Sequence, residues 1–90
     1  MSNKLYDFGD ALLGLKKGQA MRRTGWNGKA QFIYLENENT DHKERAHIVI
    51  WTADHWRTPW LASQADILAN DWEDVGVPAE AYQRIICGIE

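Results

Sequence analysis

Two short segments concentrate the side chains able to recognise a charged aromatic ligand. The first is Arg22-Arg23-Thr24-Gly25-Trp26-Asn27-Gly28. A guanidinium fork binds phosphate oxygens two at a time. An indole face stacks on a nucleobase, worth about 1–3 kcal/mol per base in single-strand binders. The small residues let a ligand approach the backbone. The second segment is Pro59-Trp60-Leu61-Ala62-Ser63-Gln64-Ala65-Asp66. Here a strand ends and a helix starts at Ser63, and helix N-termini present N–H groups that suit an anion. Gln64 and Asp66 can read polar edges, Asp66 by accepting from ribose hydroxyls or an adenine amino group. Each segment also has a purely structural reading: a β-turn whose Trp26 plugs the edge of the core, and a capped helix preceded by Trp60 as an apolar staple.

Other chemistry finds less support. There is no phosphate-binding glycine loop and no paired-cysteine metal site. His42, His47 and His55 are five and eight residues apart, whereas a helical zinc pair needs three or four and a third ligand. No metal and no cofactor are expected. Ser63 is better explained as a helix cap than as a nucleophile, and Cys87 has no electropositive neighbours in sequence. Asp66 and Asp71 are five residues apart, which on a continuous helix sets them on different faces, so acidic surface residues are expected.

The elements that must hold these segments can be read from periodicity. Phe8, Ala11, Leu12 and Leu15 form one apolar stripe of a helix over 7–17, with Gly18 to stop it. Residues 19–23 have strand character, Gly25–Gly28 a turn, and 31–35 a β-prone run. Residues 36–45 are almost wholly polar and read as a solvated loop. A strand over 46–52 turns at Ala53-Asp54-His55 and returns through Trp56 to Trp60, where Pro59 confines it to an edge. Ser63 caps a helix over 64–70, with Asp66 in a capping-box position. Residues 72–75 form a closing strand, and 78–90 hold one more helix with Ala81, Tyr82, Ile85 and Ile86 on one side. Ile33, Ile50, Trp51, Trp56 and Trp72 are assigned to the core. The expected fold class is α+β, a small, mostly antiparallel sheet with one or two packed helices in a single domain over 1–90.

Composition agrees. Ninety residues make one domain, and 44% hydrophobic content suits a globular chain. A chain this short buries about 60–65% of its unfolded surface, which makes self-association plausible. A net charge of −3 with mixed signs argues against a binder of nucleic acid polymers. The single Cys87, with no signal-like or membrane-spanning run, fits the cytoplasm.

The order of blocks also resembles a known family. These blocks are Leu5 with Phe8-Gly9-Asp10-Ala11-Leu12, Lys17-Gly18, Arg22 to Lys29, Phe32-Ile33-Tyr34-Leu35, Trp51-Thr52-Ala53-Asp54 and Pro59 to Trp72. Over about 5–75 the chain is similar to the Thoeris anti-defence two family of phage and prophage proteins, with 76–90 as an extra tail. The resemblance implies a non-catalytic sponge in the infected bacterial cell. Its ligand would be a cyclic ADP-ribose isomer made by Toll/interleukin-receptor-domain defence proteins, or, in some members, a cyclic dinucleotide. It implies a homotetramer with pockets between subunits, Trp26 and Trp60 flanking the ligand and Asp66 in polar contact with it. Asn27, Arg22, Ser63 and Gln64 join the expected site from their own chemistry, with Arg22 or Arg23 making it locally positive. His55 and Ala62 depart from the Gly and Pro of the pattern, and 36–45 and the tail follow none of it. The rival classes are a small hydrolase of cyclic nucleotides and a structural or interaction module of a phage.

Overall fold

A computed structural model describes residues 4–26 and 30–88. The first helix, α1, spans Phe8–Lys16, and Asp7 Oδ1 caps it by accepting from the Asp10 N–H at 2.9 Å. Gly18 then takes φ +93°, the left-handed conformation that ends helices. The chain enters β1 (Met21–Arg23), makes one 3-10 turn over Thr24–Trp26, and continues through β2 (Phe32–Glu36), β3 (His47–Trp51) and β4 (Arg57–Pro59). Helix α2 (Gln64–Leu68) leads into β5 (Trp72–Asp74). The tail forms α3 (Pro78–Ala81), which widens into a π-helical turn over Tyr82–Ile86.

The five strands make one sheet in the order β4-β3-β2-β1-β5, every neighbouring pair antiparallel. The expected α+β class is therefore the observed one. Strand β4 stands at an edge, where the missing N–H of Pro59 costs no ladder bond. The outer edge of β5 is met by the N-terminal segment: Tyr6 and Trp72 exchange backbone hydrogen bonds of 2.8 and 3.1 Å.

Alternation along the strands divides the core in two. On the α1 side, Ala11, Leu15, Met21, Ile33 and Trp72 are buried together, with Trp26, Trp60, Phe8 and Ile50 packed against them. On the other side Ala20, Phe32, Val75, Ala81 and Ile86 are buried, and Tyr34, Trp51, Tyr82 and Ile85 close over them. The tail is thus the cover of the second face, with the apolar side expected of it.

Three expectations need correction. Trp56 is not core: it is 69% exposed at the end of the β3–β4 hairpin. His55 sits just before it at φ 66°, so the turn keeps a left-handed residue where glycine is the easier choice. Helix α2 stops at Leu68 rather than 70, because Ala69 turns extended (ψ 150°) to carry the chain back to the sheet. The polar stretch 36–45 is not featureless: Glu36 belongs to β2, and Asn39 and Glu44 pair across a small turn.

Trp72 is the most consequential core residue. It is fully buried, its ring lies 5.4–5.9 Å from those of Trp26, Trp60 and Phe8, and its indole N–H donates to the Asp66 carbonyl at 3.0 Å. Replacing a buried Trp by Ala costs about 3–5 kcal/mol, against a total of roughly 5–15 kcal/mol for a small domain. Trp72→Ala is expected to lose most of the folding stability in urea titration, while Trp56→Ala shifts it by less than about 0.5 kcal/mol.

Candidate binding site

The two tryptophan-bearing segments meet at Trp72. Trp26 and Trp60 each stand nearly perpendicular to it, at 79° and 88°. Trp60 is placed by the sheet, since its backbone N–H donates to the Ile48 carbonyl at 2.9 Å. Trp26 is placed by polar contacts, its indole N–H donating to Asp66 Oδ1 at 3.2 Å.

Behind that contact lies a buttress of one guanidinium and two carboxylates. Arg23 donates from Nε to Asp71 Oδ1 at 2.8 Å and from its terminal nitrogen to Asp66 Oδ1 at 2.9 Å. Asp71 Oδ2 accepts the Gly25 N–H at 2.7 Å and the Thr24 hydroxyl at 3.2 Å, and its carbonyl accepts the Thr24 N–H. Asp71 therefore holds the first two residues of the 3-10 turn, Thr24 and Gly25, through both its side chain and its backbone carbonyl. Gly25 is required by this close approach, because a Cβ there would lie 2.7 Å from Asp71 Oδ2. Asp66 completes the capping box as read from sequence: Ser63 Oγ accepts its N–H at 3.1 Å and its Oδ2 accepts the Ser63 N–H at 3.4 Å.

This arrangement sets the electrostatics. Partial burial pushes the Asp66 carboxyl up, but hydrogen bonds from Arg23, Trp26 and Ser63 outweigh it and hold the pKa below the ordinary carboxylate range. Arg23 above all holds Asp71 down as well, aided by the Gly25 N–H and Thr24. Bonds from Asp71 and Asp66 in turn raise the Arg23 pKa. Both carboxylates are thus ionised at neutral pH.

The structure brings together Trp26, Trp60, Asp66 and Ser63, with Gln64 exposed beside them at the start of α2. It sends Arg22 elsewhere. Strand alternation turns Arg22 to the opposite face, where its Nε pairs with Glu73 Oε1 at 2.6 Å. Arg23 is the arginine of the cluster, and the two carboxylates on it leave a net charge of −1 rather than the positive field expected. Asp66 and Asp71 also converge instead of diverging, because the helix ends between them. Asn27 lies outside the described residues. Asp71 and Phe8 were missed as members of the cluster, and Arg23, expected to make the site positive, instead bridges two carboxylates, since nothing local links residue 23 to residue 71. The one usable signal was a turn with few internal acceptors, which needs a carboxylate from somewhere.

A separate hollow of about 470 Å³ lies under the Asn39–Glu44 turn, on the other face. It is lined by Glu36, His42, His47 and Arg57 among others, and takes in no member of the indole cluster. Among the described residues no three His, Cys, Asp or Glu side chains are grouped to hold a metal.

Removing Arg23 strands two ionised groups, so Arg23→Gln is expected to cost on the order of 3 kcal/mol. The acid dependence follows from the lowered carboxyl pKa values. Groups with depressed folded-state pKa contribute stability above their unfolded value, about 3.9 for Asp, and lose it as pH falls through the folded values. Thermal melts of the wild type should therefore fall below about pH 4, and those of Arg23→Gln should fall less steeply there.

With the geometry in place, comparison with known proteins is informative. The sequence model of the Thoeris anti-defense 2-like domain matches residues 6–75. That span runs from the Tyr6 bridge past β5, so it contains the whole indole cluster and stops before α3. A relative named Thoeris anti-defense 2, from Bacillus phage SP01, is 35% identical over 82 residues, covering 76% of this chain and 92% of the relative. The chain belongs to the Thoeris anti-defense 2-like family, and with that membership goes a phage anti-defence role.

Proposed function

We propose that this protein acts against Thoeris immunity by binding a cyclic ADP-ribose isomer and holding it unchanged. The observation that carries this reading is the convergence of Trp26 and Trp60 on Trp72 from turns more than thirty residues apart. Two indole walls on a rigid base suit a flat purine, and each stacking contact is worth about 1–3 kcal/mol. Asp66 uses three acceptor positions within the chain. A carboxylate offers about four, so one remains for a ligand hydroxyl or amino group. Ser63 and Gln64 supply further polar contacts at the rim, and Asn27, next to Trp26 in sequence, is kept as a ligand contact on its chemistry alone. Arg22, on the far face, drops out of the pocket.

Capture rather than turnover fits the same geometry. A general base works best with a pKa near the working pH, whereas Asp66 and Asp71 are both held low and tied into structure. Ser63 Oγ is engaged with the helix it caps. A sponge must outcompete the host receptor, which sets nanomolar affinity, about −12 kcal/mol, as the relevant scale. We further infer a homotetramer with its pockets between subunits, acting in the cytoplasm of the infected cell. Among the described residues no helix is long and apolar enough to cross a membrane.

The test is to load the purified protein with the cyclic ADP-ribose isomer, remove free ligand, heat, and weigh what is released. Unchanged mass at stoichiometric yield is expected, and a linear or hydrolysed product formed in excess over protein would overturn the reading. A stacking energy of about 1–3 kcal/mol converts to a loss of affinity of roughly 5- to 150-fold. Trp60→Leu, which keeps apolar volume on Trp72 but removes the flat face, is expected to show that loss in titration calorimetry. Alanine is the poorer choice at both positions, because each indole also packs on the core.

A further inference from the structure

The polar stretch 36–45 takes no part in the indole cluster, yet it roofs the hollow of about 470 Å³ on the opposite face of the sheet. That volume falls within the roughly 300–1,000 Å³ typical of small-molecule pockets. Strand register builds the base of the hollow. Val49 lies opposite Pro59 and Glu36 opposite His47, so all four side chains share one face. Val49 and Pro59 supply apolar surface, while Glu36, Glu44 and Arg57 supply charge. Arg57 is already engaged. Its terminal nitrogen donates to Glu36 Oε2 at 3.0 Å and to the Tyr34 hydroxyl at 2.9 Å, and its guanidinium lies 5.8 Å from the centre of the Trp51 ring. Glu44 is not engaged in this way. It closes the Asn39–Glu44 turn through its backbone, and among the described residues its carboxylate has neither a hydrogen bond nor an ion pair. The bond to Tyr34 above all raises the Arg57 pKa, and the charges of Glu36 and Glu44 add to it, so Glu44 stands near the same guanidinium. With histidines counted as neutral, two carboxylates against one guanidinium leave the hollow at −1. The roof has the same sign, with Glu36, Glu38, Asp41 and Glu44 against Lys43 and Arg45.

We propose that this hollow binds a linear aliphatic polyamine, with methylenes on Val49 and Pro59 and ammonium groups on the carboxylates of Glu44 and Glu36. Hydrogen bonds between ammonium and carboxylate are about twice as strong as neutral ones. Tyr34 and Arg57 both donate to Glu36 Oε2, which leaves Oε1 for an ammonium. His47 Nδ1 lies 2.8 Å from the Arg45 carbonyl, so that nitrogen is the donor and Nε2 of the neutral ring is a further acceptor. Alkyl stems lie readily along apolar surface while their charged ends stay wet. Other ligand classes fit less well. A phosphate-bearing anion meets a field of its own sign. A bare metal ion would fill little of the volume, and among the described residues no three side chains are grouped to hold one. The hollow shares no residue with the indole cluster, so the proposal stands without the capture reading.

The experiment is titration calorimetry of the full chain with spermidine at low ionic strength, where ion pairs are least screened. Saturable binding is expected, together with shifts of the His47 and Val49 amide resonances. Glu44→Gln keeps the size of the side chain and removes its charge. It is expected to weaken binding by at least about tenfold, the scale of one charge-assisted hydrogen bond. Glu44 is exposed and its turn is closed by backbone bonds, so the melting temperature should not change. Glu80→Gln removes the same charge from an exposed position on α3, outside the hollow, and should bind as the wild type does. Heats that never saturate, an unchanged affinity in Glu44→Gln, or equal losses in the two variants would each overturn the proposal. The last would mean that spermidine is drawn by net charge alone. If Glu44→Gln fails to fold, the wild-type resonances decide: shifts centred on the hollow support the site, and shifts centred elsewhere count against it. No nucleotide is present in the titration, so a failure of capture leaves this result intact, and the reverse holds too.

Discussion

Arg23 joins two stretches of chain that no local force brings together. Its guanidinium is held between Asp66, in the first turn of α2, and Asp71, just before β5. A planar fork with five donors in fixed directions can satisfy two carboxylates at once in a way that a lysine cannot. Once it does so, the positions of other groups follow. The Thr24–Trp26 turn hangs from Asp71, the Trp26 indole from Asp66, and the Asp66 carbonyl receives the Trp72 N–H. Partial burial makes this arrangement firm, because polar groups shielded from water lose much if a partner moves away.

On the capture reading proposed above, the same bonds suit the cluster to holding a molecule rather than transforming it. A reactive carboxylate needs freedom and a pKa near neutrality, and here both are spent on structure. What remains presentable to a ligand is aromatic surface, a residual acceptor on Asp66, and the exposed polar side chains at the start of α2. Preorganisation of this kind favours affinity, since few side chains have to be immobilised when the ligand arrives.

The sheet divides the molecule into two faces with different tasks. The α1 face carries the indoles and is closed by residues within the family span, Tyr6 to Val75. The opposite face is covered by the tail, whose Tyr82 packs against Trp51 at 4.7 Å and contacts His55 Nδ1 through its hydroxyl at 2.8 Å. Arg22 belongs to that second face by the parity of the strand alone. Two adjacent arginines of equal chemistry thereby acquire unrelated roles.

Local physics was enough to read the elements. The stripe in α1, the stop at Gly18, the β-branched and aromatic runs of β2 and β3, the edge position of Pro59 and the capping box at Ser63 all depend on residues within a few positions of one another. Composition and block order were enough for the α+β class and the family. The site was only half legible, for a physical reason. Which side of β1 an arginine faces depends on the register with β5, fixed by a pairing of residue 23 with residue 72. That Asp66 and Asp71 converge depends on a helix ending early so that Trp72 can enter the sheet. That Trp56 lies in solvent while Trp72 is wholly buried depends on which end of the sheet each reaches. These are long-range facts of packing, and the chain states them only once it is folded.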